Sequence, residues 1–206
     1  MDIYRHDDDF RRNGYLIIAG TDEAGRGPIA GPVVAATVVL PSSTRIKGLR
    51  DSKKIPEKER EHLFWEVLAS AEDIGIGISD NNQIDNTDIL KATKSAMRSS
   101  VEDLINNPDC LIVDAVTIPN LTIKQFPVIK ADAKSASVAA ASIIAKYVRD
   151  RLMIHFDSLY PQYNFAKHKG YCTREHMERV AKYGPCPIHR ISFRQVLEQE
   201  LPFSLS

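Results

Sequence analysis

Asp22 and Glu23 stand side by side at the end of the apolar run Leu16-Ile17-Ile18-Ala19-Gly20-Thr21, and the turn Gly25-Arg26-Gly27-Pro28 follows at once. Two acids at the edge of a core cost several kcal/mol per ion unless something offsets them, and a divalent cation is the usual compensator. Gly25 and Gly27 carry no Cβ, so their backbone can approach a ligand closely and offer its N–H groups. The chemistry implied is a metal on one side and a sugar-phosphate on the other. Asp114 repeats the placement at the end of Cys110-Leu111-Ile112-Val113, and Asp132 precedes a long small-residue segment. Four carboxylates without a Cys or His partner favour Mg²⁺ or Mn²⁺. Two such ions roughly 3.5–4 Å apart can activate a water and hold the entering and leaving oxygens of a phosphoryl displacement. Any one of these acids could equally be a cap or turn residue. The adjacent pair resists that reading, because two uncompensated neighbouring charges have little structural use.

A second group is basic. Lys167, His168, Lys169, Tyr171 and Arg174, then His189 and Arg190, place an aromatic among cations, as stacking along a phosphate track requires; the plainer alternative is a solvated charged face. His168 is the histidine to test first as an acid or base, while His6, His62, His155 and His176 read as surface or helix-face residues. Lys53, in Asp51-Ser52-Lys53-Lys54, is placed to neutralise a phosphate. Ser142 and Lys146 lie four apart on one helix face and read as supporting groups. A dinucleotide fold is a poor rival, since the glycine after Gly25 and Gly27 is Gly31, one residue late for G-x-G-x-x-G, and a strand follows instead of a helix. There is no G-x-S-x-G elbow for a nucleophilic hydrolase.

Residues 1–13 are polar and acidic and predict a loosely ordered arm. Strands are expected at 15–22, 32–40, 74–79 and 110–114, with a weaker one at 123–129, where Pro127 intervenes. The first two should pair antiparallel, because too few residues separate them for a helical crossover. Helices are expected at 57–72, from a cap at Thr87 to upstream of Pro108, at about 135–159, from a cap at Thr173 to Gly184, and around 194–200. The pattern gives an α/β fold, a mixed sheet flanked by helices, with residues 14–206 as one domain that includes a C-terminal helical and basic-loop extension.

Lys+Arg and Asp+Glu balance at 27 each among 206 residues, so nucleic-acid binding would need a local basic face. Three cysteines without a CxxC spacing suggest free thiols, a reducing compartment and no zinc. With no long apolar run and no signal-peptide pattern, the expectation is a cytoplasmic protein that does not engage a membrane.

Asp22-Glu23-Ala24-Gly25-Arg26-Gly27, Asp51-Ser52-Lys53-Lys54, Val113-Asp114-Ala115, Ala140-Ala141-Ser142-Ile143-Ile144-Ala145-Lys146 and His168-Lys169-Gly170-Tyr171 together resemble bacterial ribonuclease HII. The resemblance implies a ribonuclease H-like fold and Mg²⁺- or Mn²⁺-dependent cutting of RNA in RNA/DNA hybrids. It also implies cutting on the 5′ side of single ribonucleotides in duplex DNA, leaving a 3′-hydroxyl and a 5′-phosphate. By position, Asp22, Glu23, Asp114 and Asp132 would bind the metal. Gly25, Arg26 and Gly27 would read the ribose 2′-hydroxyl, and Tyr171 would pack on the following deoxyribose. A monomer is expected, and the residues name no sliding clamp or polymerase contact. The related ribonuclease HIII would need an extra N-terminal domain. A non-cleaving nucleic-acid-binding module of the same fold is the alternative, against which the four acids speak.

Overall fold

The computed structural model describes residues 2–50 and 55–200, with side chains as far as Leu197; the loop 51–54, and with it the candidate Lys53, lies outside the described residues. Five strands, β1 (Ile18–Ala24), β2 (Val33–Val39), β3 (Asp73–Ser79), β4 (Cys110–Asp114) and β5 (Lys124–Val128), form one sheet in the order β3-β2-β1-β4-β5. β1 pairs antiparallel with β2, and β2 with β3; β4 runs parallel to β1, and β5 to β4. Pro127 fits because β5 is the last strand of the sheet, where a missing N–H breaks no inner ladder.

β1 begins later than the apolar run suggests and extends further. The N–H groups of Leu16 and Ile17 go to the Asp109 carboxylate at 2.7 and 2.8 Å instead of to a neighbouring strand. At the other end β1 stays paired as far as Ala24 opposite Val34, so Asp22 and Glu23 ride within the strand and not beyond it.

Alternation along the strands divides the core in two. Ala36 and Val38 face α5 (Ala136–Leu159) and α2 (Glu57–Ser70), packing with Ala140, Ile144, Leu63 and Val67. Ala35, Leu111 and Val113 face α4 (Ile89–Glu102), against Ala96 and Met97. The small residues of α5 let it lie almost on the sheet. At Gly20 a Cβ would come within 2.3 Å of the backbone of Ser137 and Val138, so only glycine admits the helix there. α4 is capped by Asp88, whose carboxylate accepts the Lys91 N–H at 2.8 Å; Thr87, the expected cap, instead donates to the Gln83 carbonyl and ends the short α3 (Asn81–Asn86).

The expected loose arm is a helix, α1 (Ile3–Arg12), capped by Asp2. It is ordered by a contact that only the folded chain creates. Asp7, 1% exposed, accepts both the N–H and the hydroxyl of Ser137 at 2.9 Å, satisfying donors in the first turn of α5. Phe10 adds an edge contact to Phe126, centroids 4.7 Å apart.

The C-terminal quarter comprises α6 (Phe165–His168), α7 (Arg174–Tyr183) and α8 (Arg194–Glu200), with its own small core of Met153, Tyr163, Phe165, Val180 and Ile188. His176 belongs to this core and not to a surface: it lies one turn before Val180 on the inward face of α7 and is 0% exposed. His189 is 1% exposed. Burial depresses both imidazoles below the ordinary 6.5, His176 to about 3 and His189 to about 4. Cys110 and Cys186 are buried, Cys172 is exposed, and all three are free thiols. Among the described residues no helix is long and apolar enough to cross a membrane.

Asp7→Ala leaves two buried donors of Ser137 unpaired and should lower unfolding stability by about 2 kcal/mol in urea titrations; an unchanged midpoint would show that α1 does not cap α5. The neutral histidines set an acid limit. Because their folded-state values lie below 6.5, the unfolded chain takes up protons first, so the stability they confer is whole above about pH 6.5 and is lost as pH falls toward 4 and 3. The thermal midpoint should therefore drop between pH 6.5 and 4, and less steeply in His176→Asn.

Candidate active site

The acid corner follows from the parallel pairing of β1 and β4. Thr21 is opposite Val113, so Asp22 and Asp114 come next along two strands running in the same direction. Pleating turns both toward the α5 side, the side on which Ile18, Cys110 and Ile112 pack against Val138. Asp22 is 3% exposed. One carboxylate oxygen of Asp114 accepts the N–H of Ala131 at 3.0 Å, which ties the end of β4 to the 3-10 turn Ala131–Ala133. Asp132, in that turn, is 5% exposed. Glu23, one residue further along β1, lines the adjoining cleft, with its carboxylate 3.3 Å from the Arg26 guanidinium.

Beside this corner is a cleft of about 490 Å³ lined by Glu23, Ala24, Gly25, Arg26, Gly27, Ile89, Lys146 and Tyr171. Its rim is the glycine loop, held from beneath by two buried arginines. Arg190, 0% exposed, donates to the carbonyls of Gly25, Arg26, Pro28 and Gly31 at 2.6–3.0 Å. Arg149, also 0% exposed, donates to Pro32, Ala30 and Lys169 at 3.0–3.1 Å. A trans peptide points its C=O and N–H in opposite directions. The inward carbonyls of Gly25 and Arg26 therefore turn the N–H groups of Arg26 and Gly27 away from Arg190, toward the cleft. Gly25 has φ +101°, and a Cβ there would lie 2.1 Å from Arg149 Nε, so glycine is required. Burial lowers the two guanidinium values, Arg149 to about 10 and Arg190 to about 9, and both remain cations at neutral pH.

Gly25, Arg26, Gly27, Lys146 and Tyr171, all candidates from the sequence, thus line one cleft together with Glu23. Tyr171 is 43% exposed and faces the Gly27 side, where a Cβ on Gly27 would lie 3.8 Å from its ring. Lys146 makes an ion pair with Asp150, which Arg60 also contacts at 3.1 Å. Burial lowers the Lys146 value, partly countered by Asp150.

Other candidates land elsewhere. His168 is 8% exposed, and both its ring nitrogens are engaged by backbone: Nδ1 accepts the Gly170 N–H at 3.2 Å and Nε2 lies 2.8 Å from the Tyr163 carbonyl. With burial pushing its value down, it is a turn-forming residue and not an acid or base in the cleft. Lys169 is a left-handed cap of α6 whose ammonium is near Glu57 at 3.7 Å; its carbonyl, and not its charge, serves the site by receiving Arg149. Ser142 is 2% exposed within α5 and does not line the cleft. His189 and Arg190, read as a basic surface turn, are interior. Arg149 escaped notice altogether. Its one signal is position: it continues the buried stripe Ala141, Ala145, Met153 at four-residue spacing, where an arginine needs a special reason.

Among the described residues, no three His, Cys, Asp or Glu side chains are already gathered as ligands of one ion. The donor chemistry of the corner is nonetheless that of a hard cation, with carboxylate oxygens on three adjoining elements.

The ribonuclease HII family model matches residues 19–196. The chain is 54% identical over 182 residues to ribonuclease HII of Acetivibrio thermocellus, covering 88% of this chain and 71% of that relative. Its fold superposes on the ribonuclease H2 of Pyrococcus horikoshii OT3 with a TM-score of 0.77 at 27% identity, covering 90% and 97% of the two chains. Bst-RNase HIII in complex with Mn²⁺ shares the fold, with a TM-score of 0.76 at 19% identity over 92% of this chain and 70% of that one. With the acid corner, the glycine loop and Tyr171 all lying inside the matched span, the chain belongs to the ribonuclease HII family, endoribonucleases that cleave the RNA strand of RNA/DNA hybrids.

Proposed function

We propose that this protein also cuts on the 5′ side of single ribonucleotides embedded in duplex DNA, leaving a 3′-hydroxyl and a 5′-phosphate. The observation that carries this reading is the cleft in which Glu23, the turned-out N–H groups of Arg26 and Gly27, Lys146 and Tyr171 meet. A ribose 2′-hydroxyl is both donor and acceptor and is the group that separates RNA from DNA at one nucleotide. The N–H groups of the loop can donate to it. The Tyr171 ring offers a flat face to the sugar that follows, and Lys146 brings a cation within reach of a phosphate.

The family is divalent-metal-dependent. Mg²⁺ or Mn²⁺ is the cofactor of this reading, and Mn²⁺ is the ion in the similar Bst-RNase HIII complex. Asp22, Glu23, Asp114 and Asp132 would hold it. When bound, two such ions supply an ionised water near neutral pH and neutralise charge building on the reacting phosphate. The Ala131 N–H keeps one Asp114 oxygen oriented, and the Arg26 guanidinium does the same for Glu23. With its thiols free, the protein suits a reducing compartment, and we place it in the cytoplasm.

The deciding experiment is incubation of a duplex carrying one ribonucleotide, with Mg²⁺ or Mn²⁺, beside an all-DNA control. A single 5′ cut supports the reading, and an intact strand refutes it. Asp22→Asn keeps the side chain's shape but removes its charge, and should lower cleavage by at least about 10²–10³-fold with hybrid binding retained; wild-type turnover would contradict the assignment. Tyr171→Ala should slow cutting at the junction between ribonucleotide and DNA by about tenfold, the worth of one stacking contact, while cutting within uniform RNA/DNA hybrid changes less.

A further inference from the structure

The ring of Tyr171 has little around it to fix its direction. It is 43% exposed, Arg149 reaches only to 6.0 Å from its centroid, and the opposite rim is a glycine. A side chain so loosely packed must be aimed from its own backbone. The Tyr171 carbonyl accepts the Thr173 N–H at 2.8 Å and lies 2.9 Å from His176 Nδ1. His176 Nε2 is in turn 3.0 Å from His189 Nε2, and His189 Nδ1 receives the Cys186 N–H at 2.9 Å.

Proton positions along this chain follow from its first link. The shortest contact at His189 Nδ1 is the Cys186 N–H, ahead of the Cys186 thiol at 3.1 Å and carbonyl at 3.3 Å, and an Nδ1 that accepts this N–H leaves the neutral ring's proton on Nε2. That proton must be donated to His176 Nε2, since two lone pairs 3.0 Å apart would repel. His176 then carries its proton on Nδ1 and donates it to the Tyr171 carbonyl. Burial keeps both rings neutral at working pH, so the direction of donation does not reverse. The plane of His176 is also fixed, by stacking on His168 with centroids 4.2 Å apart and by the edge of Phe165.

We infer that His176 and His189 are positioning residues for Tyr171: their one-way hydrogen-bond relay, anchored at Cys186, sets the backbone from which the ring enters the cleft. The inference rests on the reading of Tyr171 as the residue that packs on the sugar after the ribonucleotide.

The test compares single-turnover cleavage of two substrates, a duplex with one embedded ribonucleotide and a uniform RNA/DNA hybrid. His176→Phe keeps the ring and removes the relay. Its ratio of junction to hybrid cleavage should fall by about tenfold, matching Tyr171→Ala. The double variant should fall no further than either single one. His176→Asn, whose amide N–H occupies the place of Nδ1, should recover most of the ratio. Should His176→Phe fail to fold, His189→Leu, which deletes the outer link alone, should move the ratio in the same direction. An unchanged ratio in the folded relay variants, or equal loss on both substrates, overturns the inference while leaving Tyr171 in place. If Tyr171→Ala itself leaves the ratio unchanged, the sugar-packing reading fails and the relay's role falls with it.

Discussion

The parallel register of β1 and β4 is the constraint on which the site depends. It sets Asp22 and Asp114 at the same end and on the same side of neighbouring strands, in a corner where Asp22 and Asp132 are nearly inaccessible to water. Like charges brought together out of water raise the free energy of the folded chain by several kcal/mol per ion unless opposite charge or N–H donors meet them. Some of that offset is built in, through the Ala131 N–H at Asp114 and the Arg26 guanidinium at Glu23. The closeness of α5, possible because Gly20 has no side chain, shuts water out from that side.

The other half of the site is organised by buried cations. Arg149 and Arg190 direct their guanidinium forks at carbonyls spread over residues 25 to 32 and at Lys169. One consequence is geometric, since carbonyls drawn inward leave N–H groups facing the cleft. The other is electrostatic, because two guanidiniums beneath the loop put positive potential under the rim of the cleft. The histidines nearby are kept neutral by burial, so they add direction to hydrogen bonds without adding charge. Backbone links from Ile29 to Gly170 and from Gly31 to Ile188 tie the glycine loop to the C-terminal quarter, the first of them directly beside Tyr171.

Elements whose signals are local were legible in the sequence. α7 begins at Thr173 and ends at Gly184 as the capping residues require, β3 shows its alternation, and α5 shows its small-residue face. What escaped depends on partners distant in the chain. α1 is polar enough to read as an arm, and the contact that orders it joins Asp7 to Ser137, 130 residues away. Arg190 and His189 look like surface cations until the carbonyls of a loop about 160 residues earlier surround the arginine. His168 carries the same deception, because the backbone groups that occupy both its nitrogens are contributed by turns whose shape the side-chain pattern does not encode. The glycine loop beside the Asp22-Glu23 pair stood out in the sequence because adjacent carboxylates beside glycines have few structural uses.

That the corner formed by Asp22, Glu23, Asp114 and Asp132 binds a divalent cation is the claim everything else presupposes. Its most direct test is a Mn²⁺ titration of the folded protein followed by electron paramagnetic resonance, comparing the wild type with Asp114→Asn, whose amide oxygen can still accept the Ala131 N–H. The account predicts that wild-type protein removes Mn²⁺ from the free-ion signal and that Asp114→Asn does so far more weakly with its fold intact. Equal Mn²⁺ binding by the two proteins would contradict it.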